Sequence, residues 1–209
     1  MTSIRKYPVS ESIVFHKTTA AYGGLSNMAA GFSLNVNDVV IPTAEHLYQA
    51  CRFPNDPGLQ QEIISIPSPM TAKWVGRKHI EKTRKDWDHV RFKIMQWVLE
   101  LKLSQNWSNF SNLLISTENK PIVELSPKDK IWGAVKEGDF LIGTNALGRL
   151  LMFIRETFVK TNNQLFCVDP LNIPDFYFLG HPIETSCNEN FYDEINWVLS
   201  NEIEKEVTL

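Results

Sequence analysis

No stretch of this chain is apolar for the roughly 20 residues that a membrane crossing requires, and the N-terminus lacks the apolar core of a secretion signal. A membrane partner is therefore not expected. Cysteine is scarce. Cys51, Cys167 and Cys187 are scattered, odd in number and without metal-ligand spacing, so a reduced, cytoplasmic setting is the expectation. The five histidines are equally scattered, and neither a metal site nor any cofactor is expected. Internal repeats and low-complexity tracts are missing too, which excludes a solenoid or a disordered linker protein.

What remains is ordinary globular material. Of 209 residues, 43% are hydrophobic and 22% charged, which suits one domain with a substantial core and an appendage at most. The net charge of -3 hides an uneven distribution. Residues 73–93 hold eight basic side chains against three acidic ones, whereas from 161 onward nine acids face Lys205 alone. A basic middle segment suits phosphates, of a nucleotide or of a nucleic-acid backbone, although a solvated helix face reads the same way.

Taken in order, Ser12 to His16 has strand composition and leads into the glycine-bearing loop Tyr22–Met28. Gly24 there lets backbone N–H groups approach a ligand, or simply turns the chain. Phe32–Val36 and Val39–Ile41 alternate as two strands around Asn37-Asp38. Thr43 is a candidate N-cap for a helix that Pro54 stops. On it, Glu45, Gln49 and Arg52 share one face with Tyr48 beside them, while Leu47, Ala50 and Cys51 lie largely on another. Further helices are expected over 59–66, from Ser68-Pro69, from Asp86 as cap through Leu101, over 107–115, and from Asn145 as cap to Phe158. Ile122 to Leu125 reads as a brief strand. The pattern predicts an α+β fold, mainly helical, with a few short strands. Residues 1–160 are expected to form the core domain and 161–209 an acidic extension docked on it, including an acidic helix over 188–206.

Several of these stretches, taken as an ordered set, resemble the YbiA-like or NADAR family. They are Tyr22-Gly-Gly-Leu-Ser26-Asn27, Thr43-Ala-Glu45-His-Leu-Tyr48-Gln49, Ser68-Pro69, Gly76-Arg77, Asp86-Trp87, Lys128-Asp129-Lys-Ile-Trp132-Gly133 and Gly143 to Arg155. The resemblance covers about residues 12–157. It implies an enzyme that hydrolyses N-glycosidic bonds. Family members act on pyrimidine intermediates of riboflavin synthesis, or remove ADP-ribose from guanine in nucleic acid as antitoxins to a DNA ADP-ribosyltransferase toxin. The chain length, the basic segment and the acidic extension favour the second role. A non-catalytic reader of ADP-ribose or nucleic acid is the third possibility.

Cleaving a ribosyl C–N bond passes through an oxocarbenium-like state, so a carboxylate is needed to stabilise the cation or activate water, and an acid to assist the departing base. With that chemistry implied, Glu45 is the first catalytic candidate, Asp129 the second and Glu124 the reserve. Each also has a bland reading: Glu45 favouring its helix N-terminus, Asp129 capping the Trp132 turn, Glu124 pairing with a core arginine. Trp87 and Trp132 would stack on the base, Lys73 and Arg77 would hold the diphosphate, and Asn27 and Asn145 would bond ribose hydroxyls. Tyr22, Gly24, Ser26, Tyr48, Gln49 and Arg52 would complete the substrate pocket. Many relatives carry lysine where this chain has Arg52, and some where it has Thr144. Arginine stays protonated and cannot form an imine, so Lys128 or Lys73 would have to supply such an amine. Direct attack by water is the expected route.

Overall fold

The computed structural model describes residues 3–164 and 167–188. The acidic helix expected over 188–206 lies outside the described residues, apart from Asn188. The chain opens with β1 (Arg5–Pro8) and β2 (Ile13–Phe15), then crosses the glycine loop to the hairpin β3 (Leu34–Val36) and β4 (Val39–Ile41). Asn37 and Asp38 take positive φ in its two-residue turn, the conformation that favours Asn and Asp there. Five helices come next or nearly so: α1 (Ala44–Ala50), α2 (Pro57–Ser65), α3 (Pro69–Lys78), α4 (Trp87–Gln105) and α5 (Trp107–Ile115). Then follow β5 (Ile122–Glu124), β6 (Val135–Glu137), β7 (Phe140–Gly143) and α6 (Ala146–Ile154), which runs into a π-turn at Arg155–Val159. The two-residue strands β8 (Cys167–Val168), β9 (Tyr177–Phe178), β10 (His181–Pro182) and β11 (Ser186–Cys187) finish the described chain. The fold is α+β. No helix among the described residues is long and apolar enough to cross a membrane.

The helices carry the core and the strands tie its edges. Fully buried Trp97, Leu99, Ile94 and Leu101 make α4 the central rod, against which α1, α5 and α6 pack. β2 pairs in parallel with β5, and β1, β7 and β6 form an antiparallel sheet beside them. That sheet escaped the sequence reading because β6 and β7 sit on a short, half-exposed hairpin between two recognised motifs. Helix α6 crosses β5 so closely that a Cβ on Gly148 would stand 2.1 Å from the Ile122 carbonyl oxygen, which only glycine permits. Residues 167–188 bury Val168, Phe176, Phe178 and Ile183 in the same core, and the Trp97 indole donates to the Asp169 carbonyl at 3.1 Å.

Three helix starts differ from expectation. Thr43 makes no cap bond; its hydroxyl lies 2.8 Å from His46 Nδ1, while His46 Nε2 donates to the Ile66 carbonyl, a pairing that suits a neutral ring whose pKa burial lowers. Asp86 does not cap α4 either. It takes a forked ion pair from buried Arg84, at 2.6 and 2.9 Å. Asn145 is left-handed (φ 50°) and does not cap α6. The first N–H groups of α6 are instead met by backbone carbonyls of Ile131 and Trp132, which welds the 126–133 loop to the helix. Only Ser68 caps as expected, accepting from Thr71 N–H at 3.3 Å. The three scattered cysteines are also corrected: Cys167 and Cys187 form a disulfide between β8 and β11, and only Cys51 is free and buried.

Candidate active site

Helix α1 has no solvent-facing side. All of its residues are buried, Glu45, Gln49 and Tyr48 included, and Arg52 just beyond it is buried as well. Burying an acid, an amide and a guanidinium is tolerable only if they satisfy one another. They do so through all but Arg52 Nε: Gln49 Nε2 donates to Glu45 Oε1 at 2.9 Å, Arg52 donates to Gln49 Oε1 at 3.1 Å, and Arg52 continues to Thr83 Oγ1. Gly76 of α3 makes room for this row, since a Cβ there would stand 2.5 Å from Gln49 Oε1.

The row lines a cavity of about 250 Å³. From α3, Lys73 brings its Nζ to 4.0 Å from Glu45 Oε1, and Arg77 stands one turn further along. From the far side, Glu124 at the end of β5 and Asp129 of the 126–133 loop bring two more carboxyls. Burial lifts the Glu124 carboxyl to about 7; Lys73 opposes the shift, and the charges of Glu45 and Asp129 add to it. The walls are aromatic. Trp87 and Trp132 flank Tyr48 at 5.1 and 5.5 Å between ring centres, and the Arg52 guanidinium lies 5.3 Å over Trp87. Among the described residues, four buried side-chain atoms lack a hydrogen-bond partner, and three belong to residues that line this cavity: Asn27 Oδ1, Arg52 Nε and Arg91 Nε. Such atoms are expensive to leave unpaired in a core.

Comparison with known proteins assigns this architecture. Residues 14–159 match the NADAR domain model. The chain belongs to the NADAR family. It is 36% identical to the N-glycosidase YbiA of Escherichia coli over 144 residues, 69% of this chain and 86% of that one. It is 34% identical to the chloroplastic riboflavin biosynthesis protein PYRR of Zea mays over 163 residues, 71% of this chain and 25% of that one. The NMR structure of E. coli YbiA superposes with a TM-score of 0.62 at 31% identity, covering 74% of this chain and 90% of the other.

In this NADAR chain the fold gathers most of the expected site residues into one cavity: Ser26, Asn27, Glu45, Tyr48, Gln49, Arg52, Lys73, Arg77, Trp87, Glu124, Asp129 and Trp132 all line it. Four do not. Tyr22 and Gly24 lie outside, because the glycine loop uses its missing Cβ for packing: a Cβ on Gly24 would stand 2.7 and 3.0 Å from the Leu113 and Phe32 side chains, rather than beside a ligand. Lys128 is exposed and outside the lining. Asn145 is fully buried, its Nδ2 donating to the Ile122 carbonyl at 2.8 Å and its Oδ1 accepting from Glu124 N–H at 3.1 Å. It anchors the strand that carries Glu124 and cannot reach a ribose. Asp129 is committed to its turn as well, since one carboxylate oxygen accepts from Ile131 and Trp132 N–H at 2.8 and 2.9 Å.

The sequence reading missed Arg91 and Met95, which fall at i+4 and i+8 from Trp87 on α4 and so share its face. It also missed Lys102. Its signal was a lysine four residues after Val98 on the apolar stripe. Wholly buried, its Nζ donates to the carbonyls of Gly24 and Ser26 at 2.6 and 3.0 Å, and burial lowers its pKa to about 7. The loop so held places the Asn27 carbonyl to accept from Glu45 N–H at 2.9 Å.

Proposed function

We propose that this protein removes ADP-ribose from guanine bases of DNA and so reverses a DNA ADP-ribosyltransferase toxin, in the manner of an antitoxin. Its coarse activity, hydrolysis of an N-glycosidic bond, follows from its membership of the NADAR family and its identity to proteins named N-glycosidases. The observation that carries the mechanism is the meeting of Glu45 and Glu124 in one aromatic, cationic cavity. A carboxyl titrating at about 7 is matched to proton donation near neutral pH.

In this reading the C–N bond breaks with its electron pair moving to the base nitrogen, and Glu124 supplies the proton that nitrogen takes up. Glu45, oriented by Gln49 and paired with Lys73, stabilises the ribosyl cation and accepts the proton of the water that adds to the anomeric carbon. Lys73 and Arg77 hold the diphosphate, Trp87 and Trp132 wall the pocket of the base, and the lining residues Asn27, Arg52 and Arg91 offer ribose or phosphate hydrogen bonds. An imine route has Lys73 as its only lysine in the cavity lining. That lysine is engaged with Glu45, so direct attack by water is favoured. The DNA-borne substrate is supported by the cations of the 73–93 segment that flank the cavity, Lys73, Arg77 and Arg91 among them.

A second reading has its own observation. Relatives named riboflavin biosynthesis proteins favour a small phosphoribosyl-pyrimidine. Both substrates offered to the purified protein distinguish the two. Release of free ADP-ribose from an oligonucleotide ADP-ribosylated on guanine is the expected result. Modified DNA left intact while the small substrate yields ribose 5-phosphate overturns the DNA reading. Glu45→Gln should bind modified DNA without turning it over, and full turnover by that variant removes Glu45 from the chemistry.

A further inference from the structure

Helix α3 has two sides with different tasks. Ala72 and Gly76 face the core, and Lys73 and Arg77 line the cavity flank. Opposite the core, Trp74 is 68% exposed and Met70 59% exposed. They stand one turn apart on the outer face, next to Arg77 and Lys78, on a helix that carries three cations and no acid. A tryptophan left mostly in water, with a methionine beside it, is an apolar patch without a structural task. The charged residues of its helix are all cationic, so the complementary partner is a polyanion that also presents flat apolar faces. Single-stranded nucleic acid meets both conditions. Its bases stack on aromatic rings irrespective of sequence and its phosphates pair with lysine and arginine.

We propose that the Met70–Trp74 face of α3 is a stacking platform for a base neighbouring the one held in the cavity, with Lys78 on the intervening phosphate. This inference rests on the polynucleotide part of the function proposed above. The platform lies outside the cavity, so it selects a DNA-borne substrate over a free nucleotide without touching the reacting atoms.

The test is fluorescence anisotropy of a labelled, unmodified single-stranded DNA of about 12 nucleotides, titrated with the full chain. It runs alongside calorimetric binding of ADP-ribose. Trp74→Ala should weaken oligonucleotide binding roughly 5- to 150-fold, the equivalent of one lost base stack, and leave ADP-ribose binding within about twofold. Trp74→Phe, which keeps a stacking ring, should restore most of the loss. Oligonucleotide binding unchanged in Trp74→Ala overturns the platform, as does failure of Trp74→Phe to restore it. Parallel loss of ADP-ribose binding places Trp74 in the cavity instead and overturns it too. The oligonucleotide carries no ADP-ribose, so these outcomes are independent of whether the wild-type protein cleaves a modified base.

Discussion

Glu124 should reveal itself in two independent measurements. Its carboxyl is raised from 4.5 to about 7, first by burial and then by Glu45 and Asp129, against the pull of Lys73. A group with a pKa of about 7 is roughly nine-tenths protonated at pH 6 and one-tenth at pH 8. If protonated Glu124 assists the leaving base, kcat/KM should fall about tenfold between those pH values. Glu124→Gln should lose that descending limb along with roughly 10²- to 10⁴-fold of the rate. The second measurement needs no substrate. A carboxyl with a folded pKa above its unfolded value stabilises the fold fully below pH 4.5, and that contribution is lost as pH rises through about 7. The shift corresponds to about 3 kcal/mol at most, an upper bound because the side chain is partly exposed. Gln carries no such pH-dependent loss. The melting-temperature difference, variant minus wild type, should therefore open between pH 5 and pH 8 by up to roughly 6–12 °C for a chain of this length. A difference that stays flat across that range, or a rate that rises through pH 7, refutes the reasoning: the first removes the strain, the second makes Glu124 a base.

Asn145→Ala strips the Ile122 carbonyl and the Glu124 N–H of buried partners, about 1–3 kcal/mol each, and puts alanine at a left-handed φ for about 1 more. Thermal unfolding should fall by roughly 6–28 °C, with Asn145→Gly recovering only the backbone part. A loss under about 1 kcal/mol in a denaturant titration contradicts the anchoring role. Gly76→Ala drives a Cβ into Gln49 and breaks the Glu45–Gln49–Arg52 row, so turnover should drop about tenfold with circular dichroism unchanged. Wild-type kinetics in that variant show the row to be dispensable.

How much of this was legible beforehand divides along physical lines. The helices, the hairpin at Asn37-Asp38, the α+β class and the Glu45–Gln49–Arg52 row all follow from spacing of three or four residues and from local turn chemistry. Interactions of that range are written in the sequence. Arg91 and Met95 obey the same rule from Trp87, and a closer reading of α4 would have found both. What sequence alone left open was long-range. Asn145 read equally as cap or ribose ligand because its real partners, Ile122 and Glu124, lie more than 20 residues upstream. Cys167 and Cys187 looked scattered until two strands paired. The exposure of Trp74 depends on which side of α3 meets α1, and Ala72 and Gly76 settle that only once the helices pack. Glu124 is the clearest case. As a residue it is one carboxylate among 24 acids. Its raised pKa exists only because folding removes water from it and sets two other carboxyls nearby. The sequence determined which groups were available. Tertiary packing decided which were dry, charged and close enough to act.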